Sequence, residues 1–207
     1  MKQNEIEVGG IYSNGKDGIR RVTNEGPKFK QFEDQIDDDC VEYELLSGSD
    51  QIAWHGLSSG GHRIGYATRA KFAAWATDRM VESDLPRALV MIEASKVKLG
   101  KRATEFLLSL AGQASGEIST ESTWDVPHRS FAMGHVGPWL ESCHVISVHA
   151  DDKGTLACLD HRGPFTLQLT AVGVEVMKRV RADAVHFSQQ DDSAGDKTDV
   201  LRTRVRM

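Results

Sequence analysis

The 207-residue chain has few cysteines: three, at Cys40, Cys143 and Cys158. Any pairing leaves one over, and thiols so scattered do not make the disulfide framework of a secreted domain, so reduced cysteines are expected. Long apolar runs are also missing. No stretch approaches the roughly 18–20 uninterrupted apolar residues of a membrane span, and the opening MKQNEIEVGG lacks the charged and apolar regions of a secretory signal. These absences lead to the expectation of a soluble, cytoplasmic protein with no membrane partner. The sequence holds neither a Walker motif nor a dinucleotide fingerprint, so nucleotide-dependent chemistry has no support in it.

Positive charge is scarce where the chain begins. Residues 1–60 carry 6 basic and 12 acidic side chains, residues 61–100 carry 7 and 4, and residues 101–187 carry 8 and 10, within a net charge of −5. An acidic surface repels phosphate backbones. Nucleic-acid contact must therefore draw on the middle of the chain, where KVKLGKR supplies Lys96, Lys98, Lys101 and Arg102, with Arg87 one helix stripe away. Glu93 and Glu105 flank this stretch, so the alternative reading is an ordinary solvated helix face.

Local patterning changes along the chain. In GGIYSNGKDGIRRV, Ile11 and Tyr12 precede the turn-forming Asn14-Gly15 and Asp17-Gly18, and Ile19 and Val22 follow, which predicts a hairpin. VEYELL alternates Val41, Tyr43 and Leu45 with two glutamates, as a half-buried strand does. QIAWH and HRIGYA supply further short strands, so that residues 1–66 suggest a small barrel. From Thr68 a helix is expected through RAKFAAWATDRMVE, with Phe72, Ala76 and Met80 on one face. Pro86 opens a second helix and Ala103, Phe106, Leu107 and Leu110 mark a third. GQASGEISTEST reads as a loop. In CHVISVHADDKGTLACLDH a turn at Asp151–Gly154 would set Ile146 opposite Leu159 and His144 opposite His161.

Two resemblances follow from these stretches. VGPWLESCHVI is similar to the end of the recognition helix and first wing strand of the winged helix-turn-helix family. TLACLDHRGPFTLQLTAVGVEVM resembles that family's wing return and following helix. The likeness spans about residues 101–181 and implies a winged-helix-like fold, which does not by itself imply DNA binding or a role in transcription regulation. Two features depart from it: Ser130–Glu141 offers only His135, with Arg129 just before, and Pro138 interrupts the helix. Residues 1–80, from VGGIY through RAKFAAWA, resemble uncharacterised bacterial and phage proteins that pair a small SH3-like barrel with a trailing helix.

The expected architecture is α+β: a small SH3-like β-barrel over 1–66, a helical connector over 67–100, a winged-helix-like domain with an α/β hairpin over 101–187, and a disordered tail over 188–207. Catalytic readings do not survive their structural requirements. GLSSG at 56–60 matches a nucleophile-elbow pattern, but GHRIGY follows where a helix is needed. Cys143, His144, His149, Cys158 and His161 look like zinc ligands, yet the expected hairpin splits them between two faces, so no metal and no cofactor is expected. Trp124 and Trp139 lie in irregular stretches where they could anchor an interface. The leading expectation is a non-enzymatic regulatory protein that binds DNA or a DNA-associated complex through Arg87, Lys96, Lys98, Lys101, Arg102, Arg129 and His135. The alternative is a phage or mobile-element inhibitor that makes a protein–protein interaction through an acidic surface at Asp37, Asp38 and Asp39.

Overall fold

The computed structural model describes residues 1–48, 55–114, 117–126, 136–149 and 165–184. The fold is α+β, with helices and antiparallel sheets in two compact units, Met1–Ile92 and Glu93–Met207.

In unit 1, β1 (Ile11–Ser13), β2 (Ile19–Glu25), β3 (Cys40–Ser47), β4 (Gly56–Leu57), β5 (Arg63–Thr68) and β6 (Asp78–Met80) form one antiparallel sheet in the order β4-β5-β3-β2-β1-β6. The expected first hairpin is present, with Tyr12 opposite Arg20. Its turn is held by Asn14, whose Oδ1 accepts from the backbone N–H of Lys16 and of Gly18, each at 2.9 Å. Alternation puts Tyr12, Val22, Val41, Tyr43 and Ala67 in the core, where Phe72, Ala73 and Ala76 cover them. Tyr12 and Tyr43 both set their rings 5.5 Å from Phe72. Gly65 faces Tyr43 across the ladder, and a Cβ there would lie 2.5 Å from the tyrosine ring, so the absent side chain makes room for the ring. Arg20 is buried in this apolar setting, its guanidinium 3.9 Å over Trp75 and 4.5 Å over Tyr43, where cation–π attraction offsets part of the burial cost.

Helix α1 (Arg69–Trp75) starts as expected, with Thr68 Oγ1 accepting from Lys71 N at 3.2 Å. It stops earlier than its apolar spacing predicts. Thr77 N donates to Ser13 O at 2.8 Å, and residues 78–80 become β6 with Met80 opposite Ile11. The open edge of β1 offers this segment a ladder of hydrogen bonds, which here replaces further helix turns. Residues 67–92 fall within unit 1. β4 and β6 are the sheet edges, and among the described residues no pairing between them closes a barrel.

Helix α2 (Leu85–Lys96) carries the boundary between the units. Unit 2 continues with α3 (Lys101–Gln113), β7 (Thr123–Val126), α4 (Val136–Ser142), β8 (Ile146–His149), β9 (Phe165–Leu169) and α5 (residues 171–184). Its sheet has the order β7-β9-β8, all antiparallel. Trp124, Val126, Ile146, Val148, Leu167 and Leu169 are buried, and Leu107 and Leu110 of α3, Leu140 of α4, and Val176, Met177 and Val180 of α5 complete the core. The described partner of β8 is β9, with Ile146 opposite Leu169 and Val148 opposite Leu167. Residues 150–164, which hold the expected turn and the return strand, lie outside the described residues, as does the expected tail.

Helix ends in unit 2 are tied by arginines of α5. Arg179 donates to Ala94 O at 3.1 Å and Val97 O at 2.7 Å, and Arg181 donates to Ala111 O at 2.9 Å. Each adds a charged donor to carbonyls at the C-terminal end of a helix, two of which, Ala94 O and Ala111 O, also accept a long backbone hydrogen bond, from Val97 N at 3.3 Å and Ala114 N at 3.4 Å.

Candidate functional site

The basic residues singled out in the sequence divide between the units. Arg87 is exposed on α2 in unit 1, whereas Lys96, Lys98, Lys101 and Arg102 are exposed around the α2–α3 turn of unit 2. Lys96 Nζ meets Glu93 Oε1 at 2.7 Å, and Lys101 lies 3.9 Å from Glu105. Lys98 and Arg102 have no ion pair among the described residues. A cleft of about 520 Å³ opens beside Lys98, walled by Val97, Leu99, Leu108 and Val180, with Arg179 and Asp183 also on its lining. Arg129 and His135 lie outside the described residues.

On α4, Val136 and Leu140 turn inward and Trp139 is 37% exposed. Glu141 is the only charged side chain on this helix. Trp124, by contrast, is a core residue of β7, so of the two tryptophans considered as anchors only Trp139 reaches the surface.

The acidic residues are not three equivalent free charges. Asp38 pairs with Lys30, and Asp39 Oδ1 accepts from Arg69 Nε at 2.8 Å. Arg69 also donates to Glu25 Oε2 and to the Ile6 carbonyl, each at 2.5 Å, so one guanidinium ties the N-terminal segment, the end of β2 and the loop before β3. Burial works against its charge, but the Glu25 and Asp39 carboxylates outweigh that and hold its pKa above the ordinary arginine value. Asp37 Oδ1 accepts from Asp39 N at 3.1 Å, while Glu33 and Asp34 have no partner among the described residues.

The segment 26–39 is fastened at several points. Gln31 Nε2 donates to Tyr66 O at 2.7 Å, and Gln35 Nε2 donates to Asp37 O at 2.7 Å and to Cys40 Sγ at 3.0 Å. Phe29 is buried with its ring edge toward Tyr66 at 5.4 Å, and His55 stacks on Tyr66 at 4.1 Å. The Tyr66 hydroxyl donates to Glu42, and burial together with that carboxylate pushes its pKa up. Burial likewise pushes the Cys40 thiol up, with Asp37 and Asp39 adding to it against the Gln35 hydrogen bond and the Lys30 charge. Phe32 and Ile36, by contrast, are 63% and 97% exposed. Sequence reasoning missed this pair, whose signal was two large apolar residues inside an acidic run.

One motif resolves into ordinary structure. Ser58 sits in the turn joining β4 to β5: its N–H donates to His62 O at 2.8 Å and its Oγ accepts from His62 N at 3.2 Å. That is a strand–turn–strand arrangement, not the strand–turn–helix of a nucleophile elbow. Cys143 is half-buried and His144 exposed with a φ of 56°, while Cys158 and His161 lie outside the described residues. Among the described residues no group of three or more histidine, cysteine, aspartate or glutamate side chains could hold a metal ion, and no helix is long and apolar enough to cross a membrane. Comparison of the chain with protein-family models, with curated proteins and with solved structures gives no match.

Proposed function

We propose that the chain is a non-enzymatic regulatory protein whose second unit is a winged-helix-like domain acting on DNA or a DNA-associated complex. One observation carries this reading: the strand order β7-β9-β8, in which the last strand enters the sheet between the first two. Together with α3 before β7 and α4 leading directly into β8, it supports reading α4 as the counterpart of a winged helix's recognition helix. The small SH3-like fold remains the proposal for unit 1, supported by five short antiparallel strands ahead of one helix.

The charge pattern sets the mode of contact. α4 brings Trp139 and Glu141 and no cation, so base-edge reading by arginine or amide side chains has no residue there. The unpaired cations Lys98 and Arg102, with Lys96 and Lys101 at their exposed ion pairs, supply phosphate contact instead. Such binding is sequence-tolerant and steeply dependent on salt. The test is fluorescence anisotropy of a labelled duplex across a salt series, with wild type against the Lys96→Ala, Lys98→Ala, Lys101→Ala, Arg102→Ala variant. Four phosphate contacts would flatten the log–log salt slope by roughly 3 to 4 units. Absence of duplex binding by the wild type at low salt would refute a direct DNA contact.

A further inference from the structure

The segment between β2 and β3 combines features that a passive loop does not need. Its backbone is held by the Gln31 and Gln35 amides, the buried Phe29 ring and the Lys30–Asp38 and Arg69–Asp39 ion pairs. Phe32 and Ile36 nonetheless face solvent at i, i+4 spacing. Exposed apolar side chains gain by leaving water, and here their own fastened backbone does not offer them a place in the core. Glu33, Asp34 and Asp37 stand between and beside them.

We infer that this face of unit 1, with Phe32 and Ile36 as anchors, docks a cationic segment of another protein in which apolar side chains alternate with lysine or arginine. Charge decides the occupant. Nucleic acid is repelled by the same carboxylates that would attract lysine and arginine. A symmetric pair of this chain would bring Glu33, Asp34 and Asp37 of one copy against the same residues of the other, which disfavours self-association through this face. Asp38 and Asp39 contribute less than the sequence suggests, because Lys30 and Arg69 already neutralise them; Glu33, Asp34 and Asp37 carry the attraction. Phe29 packs on Tyr66 and the Gln31 amide bonds the Tyr66 carbonyl, so the backbone that carries the anchors is already fastened and its ordering cost on binding is lowered.

Two fluorescein-labelled synthetic peptides test this, one alternating leucine with arginine and one alternating serine with arginine at equal charge. Acidic proteins attract both, so the leucine preference is the informative quantity. The wild-type chain is expected to favour the leucine peptide on the order of tenfold. In Phe32→Ser, Ile36→Ser that preference disappears while the weak charge-driven binding stays, and in Glu33→Gln, Asp34→Asn, Asp37→Asn both peptides bind more weakly with a flatter salt dependence. Ile36→Ser alone is the second variant, since a side chain this exposed contributes nothing to the core. A wild type that does not discriminate, or a preference that survives in the serine variants, overturns the proposal. Sedimentation showing a dimer that Ile36→Ser dissolves would overturn it in favour of a second copy. Duplex binding of the Phe32→Ser, Ile36→Ser variant is expected to match wild type, so this surface and the proposed DNA contact stand or fall separately.

Discussion

Gly173, near the start of α5, is where one added methyl group has the largest calculable effect. A Cβ at this position would lie 1.9 Å from the carbonyl oxygen of Val145 and 2.9 Å from its carbonyl carbon. Real Cβ contacts essentially never fall below 3.0 Å, so α5 must retreat from the Val145 segment by about an ångström. The obstacle is backbone, and no rotamer change relieves it. Retreat would also loosen the Thr170 N–Val145 O hydrogen bond of 3.2 Å and the contacts of Val176, Met177 and Val180 with the core. Overpacking of this kind costs about 1–3 kcal/mol, and a backbone obstacle belongs at the upper end. Alanine regains somewhat under 1 kcal/mol of helix propensity, so Gly173→Ala is expected to destabilise by about 2 kcal/mol. With a urea m-value of about 2 kcal/mol/M, the midpoint falls by roughly 1 M. Gly112→Ala is the internal control: nothing lies within 4 Å of a Cβ there, and in the last turn of α3 the gain is about 0.5 kcal/mol. Urea titrations followed by circular dichroism and tryptophan fluorescence measure both. A Gly173→Ala midpoint equal to wild type, with Gly112→Ala behaving as stated, would refute the close approach of α5 to Val145.

Other perturbations have equally definite outcomes. Arg69→Met removes two charge-assisted hydrogen bonds and the tie to Ile6 O; because both carboxylates are about half exposed, the expected loss is about 2 kcal/mol rather than the full sum, read as a lower urea midpoint. Cys40 and Tyr66 both have raised folded-state pKa values, so the stability they contribute is complete below their ordinary values and declines as pH rises from about 9 upward. Urea midpoints at pH 8 and pH 10.5 should show that decline, and Cys40→Ala should reduce it; stability that rises over this interval contradicts the burial argument. Trp139→Ala on α4 should lower stability by about 1–2 kcal/mol, less than the roughly 3–5 kcal/mol of a core tryptophan, while removing the most acrylamide-accessible component among Trp75, Trp124 and Trp139. A large loss of stability would place Trp139 in the core instead.

The elements the sequence determined by itself are those whose information is local. Asn14, Gly15 and Gly18 dictate a turn because of their backbone and side-chain chemistry, Thr68 caps a helix with its own hydroxyl, and the Ala103, Leu107, Leu110 stripe defines the buried face of α3. Alternation likewise identified Val41 and Tyr43 as inward-facing. The tertiary structure decided what depends on distant partners. Residues 78–80 carry a helical spacing, yet they pair with β1 because that edge has unsatisfied hydrogen-bonding groups, which no local pattern records. Arg20 reads as a surface cation in sequence, yet in the fold it is buried with its guanidinium over the assembled rings of Tyr43 and Trp75. The candidate surface followed the same rule. Composition showed that the segment before β3 is acidic, but which carboxylates are neutralised was set by Lys30 and Arg69. Phe32 and Ile36 point to solvent because a separately encoded strand, through Tyr66, holds the loop beneath them. Short-range propensity is written in neighbouring residues, whereas strand order, ion-pair choice and exposure arise only when residues far apart in the chain compete for the same hydrogen bonds and the same core.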